Sequence, residues 1–345
     1  MPFLLTALLL IVAVVACSSY LARLNQAPAH RARQQLTVYT TLPAETASVL
    51  STAYEKERQV RVNFVPLSQD ELMDRLKKQT SKDKPEQDDA AMLLADQPTL
   101  SRASAQGCLT PYVSEEGDQV PTSLRQDDGY WTGVWYDPVV FCYNQDYLKT
   151  LPEVPDDWQH LAQLPDVRIG VTDFMAADAA SNLFCSMIAQ FGDAAAYAIW
   201  RDIHPHVLQY ARYLANPVRQ AGMGEVDVAI AVESEAMRYM QQGYPLHIVY
   251  PADGTAFTLT GTGIVAKAEP RQQALAQEFA DWLLGDEAQL ALQRQKMYFL
   301  PANPGRMSYK LFAGKNIMLF TQRPDFTPQQ KQAMLDYWLK EIRFK

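Results

Sequence analysis

Hydrophobic residues along the chain gather into short apolar runs, and between the runs they recur at helical spacing. The runs 36–39 (LTVY), 60–65 (VRVNFV) and 90–95 (AAMLLA) are each followed by a polar stretch that opens a helix. Runs this short with such boundaries predict strands, and apolar positions three and four apart predict amphipathic helices. The first helix places Ala47, Leu50 and Tyr54 on one face. The second opens at Ser68-Gln69-Asp70-Glu71, a capping box, with Leu72 and Leu76 turned inward. A charged loop at 82–88 leads to the third strand, and Asp96-Gln97 then leads to a helix at Pro98. The alternation restarts at 167–171 (VRIGV), passes an Ala-rich helical region at 176–203, and continues through 226–232 (VDVAIAV) and 246–250 (LHIVY). Residues 257–267 read as a strand returning to the first half. A helix at 272–284 carries Leu275, Phe279 and Trp282, and Thr327-Pro328-Gln329-Gln330 caps a C-terminal helix. Strand–helix alternation of this kind predicts an α/β fold whose sheets are mixed, mainly parallel and flanked by helices.

Between the two alternating halves lies 131–144, WTGVWYDPVVFCYN. Residues 139–143 predict a buried strand, and Pro138 pins a bend before it. Trp131, Trp135 and Tyr136 precede that bend. The stretch is expected to cross between two lobes, with Trp135 and Tyr136 facing a ligand in the cleft and Trp131 packing.

Ligands of open α/β sheets bind beyond the carboxyl ends of the strands. Thr40, Thr41, Asp96, Gln97, Thr172, Asp173, Glu233, Ser234 and Glu235 occupy such positions, and Thr255 lies in the turn after 246–250. Each has a structural alternative, since Thr41 or Asp96 can simply cap its own helix.

Composition narrows the function. A chain of 345 residues, 48% apolar and 20% charged, is long enough for two medium domains. A net charge of −8 without a basic cluster argues against a nucleic-acid partner. No GxSxG, P-loop, HExxH, CxxC or helix-opening GxGxxG is present, so neither an enzyme nor a cofactor is expected. The five histidines are His30, His160, His204, His206 and His247. Pro205 between the one close pair spoils a shared metal-binding face, so no metal site is expected. Carboxylates near the expected cleft are Asp96, Asp137, Asp173, Glu233 and Glu235, and their spacing selects no acid–base pair. Cys108, Cys142 and Cys185 are an odd set, without a complete disulfide framework; Cys142 and Cys185 read as core residues.

The N-terminus reads as an export segment. Residues 3–16 are apolar and uncharged, short for a membrane span and suited to the apolar region of a signal. Val14-Val15-Ala16-Cys17-Ser18 resembles the lipobox of bacterial lipoproteins, which implies lipidation at Cys17. No Lys or Arg precedes the run and Arg23, Arg31 and Arg33 follow it, so an uncleaved signal anchor is the alternative. Residues 18–35 read as a tether.

Several segments carry a wider resemblance: LTVYTT, the strand ending at Asp96, VVFCYN, GEVDVAIAV, YPADGTAF, FADWLLGDEAQLALQ and YFLPAN. In this order, with the export segment, the chain resembles the solute-binding proteins of ABC importers, within the group that binds ferric iron, thiamine, phosphonates and sugar phosphates. The resemblance implies a two-lobe, type 2 periplasmic-binding-protein clamp, monomeric, that closes on a small molecule and presents it to a membrane permease. It implies a first lobe of 36–137 plus 257–299 and a second of 138–256 plus 300–345. Iron-binding members use a His after the first strand and a Tyr pair after the strand matching 226–232. Leu42-Pro43 and Glu233-Ser234-Glu235 stand at those places, which disfavours ferric ion. Anion-binding members present a small-residue nest where this chain has Asp173 and Asp178. Rings with acids favour a cationic, thiamine- or polyamine-like solute; a phosphate-type anion and a sensor role remain the alternatives.

Overall fold

The computed structural model describes residues 34–345 except 83, 85, 87, 88, 313–316 and 323. The expected signal with Cys17, and the tether up to residue 33, lie outside the described residues. The strands are β1 (Gln34–Thr40), β2 (Val60–Pro66), β3 (Met92–Asp96), β4 (Leu109–Thr110), β5 (Thr132–Asn144), β6 (Ile169–Thr172), β7 (Val207–Ala211), β8 (Val228–Val232), β9 (Leu246–Val249), β10 (Phe257–Val265) and β11 (Leu300–Pro301). Their lateral order is β2-β1-β3-β10-β5-β8-β6-β7, with β4 on β10 and with β9 and β11 on β5.

The parallel ladders foreseen from strand–helix alternation are β2–β1–β3 on one side and β8–β6–β7 on the other. Antiparallel pairs gather around the middle, where β10 joins β3 to β5 and β5 joins β8. The two halves form two lobes, each with its own apolar core. The first core contains Leu36, Leu50, Leu93, Trp135 and Phe279. The second is strongly aromatic: Phe141, Trp158, Phe174, Phe184, Trp200 and Trp338 meet edge-on or tilted, with the Phe174–Phe184 pair stacked.

The bend expected at Pro138 is replaced by one continuous strand of 13 residues, β5. Its first half pairs with β10 as far as Phe257↔Pro138. From Val139↔Val232 onward it pairs with β8 and β9. Proline cannot donate to a ladder, and it is accommodated where one partner gives way to the next. Beyond it the period of two is strict: Val139, Phe141 and Tyr143 enter the aromatic core, and Val140 and Cys142 enter a third cluster with Val218 and Leu246 on the opposite face. Trp131, Trp135 and Tyr136 are all buried, contrary to the expectation that a cleft would hold some of them.

The transfer of the chain to the second lobe at residue 300 is also corrected. Leu300 pairs with Tyr136 in the first sheet, and Leu300 and Ala302 belong to the first core. Phe320, Leu335, Trp338 and Ile342 join the second core. β7 carries no strand signal in the sequence: its residues are mostly exposed or half-exposed at a sheet edge and lack an apolar run. Both capping boxes form, Ser68 with Glu71 and Thr327 with Gln330. Cys108, Cys142 and Cys185 are buried free thiols, and burial pushes Cys142 up to about 12.

Candidate functional site

The strand ends bring the expected residues into three groups. In the first lobe, Thr40 is fully buried and donates its hydroxyl to Leu94 O at 2.6 Å, tying β1 to β3. Thr41 Oγ1 accepts the Asp96 backbone N–H at 3.2 Å. Its expected capping role is not seen, since the N-cap of the Ala44–Arg58 helix is Pro43. Asp96 caps its own helix, accepting Thr99 N–H at 3.0 Å and the Thr99 hydroxyl at 2.9 Å. Gln97 donates to Ser101 Oγ.

The second group sits in the second lobe, at the end of β6. Thr172 is buried at the end of β6. Asp173 pairs with Arg343 at 2.5 Å and accepts Met175 N–H. Arg343 in turn lies over the Tyr210 ring. The His204 ring lies 2.8 Å from the Tyr210 hydroxyl, so that histidine is used in packing.

The third group lies on the crossing strand itself. Trp135 corrects the expectation of a ligand-facing ring: it is 2% exposed and stacks on Phe299 at 5.8 Å inside the first core. Thr255 is also structural, donating to Val139 O at 2.6 Å, where it fastens the turn to β5. Tyr136 packs edge-on to Phe257 and hydrogen-bonds Tyr309. Burial pushes its phenol well above the ordinary range, with Tyr309 and Glu233 adding to the rise. Glu233 accepts the Tyr250 hydroxyl at 2.5 Å. The Tyr250 phenol is raised first by burial and then by Glu233. Glu235 pairs with Arg238 one turn along the helix.

Asp137 binds this group together, although nothing in its local sequence singles it out from the other acids. Its carboxylate accepts the Ser234 backbone N–H at 2.9 Å and the Ser234 hydroxyl at 2.6 Å. It also accepts the Glu233 backbone N–H. Burial pushes its carboxyl up to about 7, against the lowering effect of those bonds. Asn182 approaches from the Asp178–Phe191 helix and donates to Phe257 O at 2.9 Å on β10. Tyr136, Asp137, Glu233 and Ser234 thus converge where the strand passes from one lobe to the other. The site is rich in carboxylate and phenol oxygen.

Comparison with known proteins agrees with the two-lobe fold. Residues 50–311 match the model of a bacterial extracellular solute-binding protein. "Iron uptake protein A1" of Synechocystis is 23% identical over 320 residues, 87% of this chain and 86% of that protein. The periplasmic binding protein AfuA of Actinobacillus pleuropneumoniae, solved with fructose-6-phosphate, aligns with a TM-score of 0.65 at 19% identity, covering 91% of this chain and all of AfuA. Apo FutA2 of Synechocystis aligns with a TM-score of 0.67 at 20% identity, covering 88% of this chain and 98% of FutA2. Among the described residues no helix is long and apolar enough to cross a membrane. The two-lobe architecture, the shared strand and the family match together place the chain in the bacterial extracellular solute-binding protein family, as a binding protein that delivers a small molecule to an ABC transporter.

Proposed function

We propose that this protein closes on a small, positively charged organic solute, thiamine-like or polyamine-like, and hands it to its permease. The observation that carries this reading is the oxygen-rich group at the crossing strand. The charges that act on Asp137, Tyr136 and Tyr250 come from Glu233, Glu235 and one another or from phenols. A cation brought there meets carboxylate and phenol oxygens, and each attracts positive charge. An anion meets the same carboxylates at a cost. Thr41, Asp96 and Gln97 at the ends of β1 and β3 are the first lobe's share of the site. Contacts from both lobes supply the differential affinity that closure requires.

The names of the relatives favour a second reading, ferric ion. A thermal-shift series with spermidine, putrescine, thiamine, ferric citrate and fructose 6-phosphate separates the two. A ligand that binds the folded state alone raises the melting point by linkage. Spermidine, putrescine or thiamine is expected to do so. A shift with ferric citrate or fructose 6-phosphate alone sinks the organic-cation reading. The lipid anchor is part of the same proposal: labelling with a palmitate analogue is expected in the wild type and lost in Cys17→Ala. A permease partner, rather than a membrane sensor, is expected beside this gene.

A further inference from the structure

We propose that Asp137 is a positioning residue of the solute site: from the shared strand it serves as the N-cap of the Glu233–Met240 helix and so holds Glu233 and Ser234 in place. The inference rests on the reading above, in which that helix start faces the solute.

The helix lacks a cap of its own. Its N-cap residue is Val232, extended and without a side-chain hydrogen bond. The first amides of a helix need acceptors, and a Ser, Thr, Asp or Asn at the N-cap normally supplies one. Here the acceptor comes from 97 residues earlier in the chain. Asp137 takes the Glu233 and Ser234 amides and the Ser234 hydroxyl together. A carboxylate at this end also meets the positive pole of the helix dipole.

The location gives the cap its use. Asp137 is opposite Thr258 in the first sheet, and two residues later Val139 is opposite Val232 in the second. The cap therefore spans the point where the lobes join. Any rotation of the strand there moves the helix start with it. The titratable and charged groups acting with Asp137 are Glu235, with its partner Arg238, and Tyr250, whose hydroxyl bonds Glu233.

Amide hydrogen exchange of the solute-free protein tests the cap, with peptides over 233–240 compared with the Met92–Asp96 strand as internal reference. Asp137→Ala is expected to speed exchange at the helix start by about tenfold or more, with the reference unchanged. Asp137→Asn keeps an oxygen acceptor and is expected to restore most of the protection. Between pH 6 and 8 wild-type protection is expected to change relative to Asp137→Asn, which cannot titrate. If Asp137→Ala does not fold, Ser234→Ala removes one bond of three and is expected to raise exchange by about threefold. Equal exchange in Asp137→Ala and wild type, or equal loss in the Ala and Asn variants, overturns the proposal. In the Ser234→Ala arm, unchanged exchange does the same. Calorimetric titration of the wild type with spermidine and thiamine tests the solute reading separately. Absence of both overturns that reading while exchange alone decides the cap.

Discussion

Two helices of this protein start at strand ends in the same way and are capped differently. The Gln97–Ala105 helix takes its acceptor from Asp96, the adjacent residue. The Glu233–Met240 helix follows Val232, which offers nothing, and borrows Asp137 from the crossing strand. The first arrangement stabilises a local turn and would survive if the other lobe were removed. The second exists only when β5 and β8 are paired, so the helix start reports on the junction between lobes. A local cap is a device of secondary structure, whereas a distant one couples two parts of a fold.

The contrast can be broken most sharply by Asp137→Ala. Removing a buried acceptor leaves two amides and a hydroxyl without it, and a loss of about 3 kcal/mol is expected in urea unfolding. Next comes the pH dependence. Burial holds Asp137 near 7 against an ordinary 3.8, so the folded state keeps a proton that the unfolded chain releases between those values. Its contribution is complete below about pH 4 and is lost as pH rises through about 7. Asp253, held near 6 chiefly by burial, acts with the same sign over a narrower window. Asp137→Asn is expected to flatten most of the fall in melting temperature between pH 4.5 and 8; an unaltered slope would assign the fall to other groups. Asp96→Ala is expected to cost about 1 kcal/mol, the usual worth of a local cap. If it cost as much as Asp137→Ala, the distinction between near and distant caps would collapse. The smallest effect, roughly 0.5 kcal/mol, is expected for Ser68→Ala in the exposed capping box, where water replaces the lost bonds.

The same contrast explains what was legible in the residues. Ser68-Gln69-Asp70-Glu71, Thr327-Pro328-Gln329-Gln330 and Asp96 announce helix starts because their chemistry is complete within four positions. The parallel strands of both lobes follow from their apolar runs, except β7, which has none. β5 was foreseen only in its second half. Pro138 reads as a break, and only the exchange of β10 for β8 as partner makes it tolerable within a strand. Local composition points Trp135 into the cleft, while the Phe299 ring that covers it lies in a distant part of the chain. Asp137 appeared as one acid among five. Its bond to Ser234 depends on a register between distant strands, which no local pattern carries. Thr40 and Thr255 sit at strand ends as ligand residues would, yet each donates to a backbone carbonyl across the fold.

The lateral strand order also sets an order of assembly. β10 lies between β3 and β5. A chain emerging from the ribosome therefore has β6, β7, β8 and β9 available before the strand that closes the first sheet has been made. The sheet of the second lobe is therefore expected to pair and gain partial protease resistance first, although its core is finished only when Phe320, Leu335, Trp338 and Ile342 join it. Ribosome-held chains truncated before residue 257 would show this as partial protection confined to the later-made lobe. Protection of the earlier-made lobe instead would mean that β1, β2 and β3 hold together without β10.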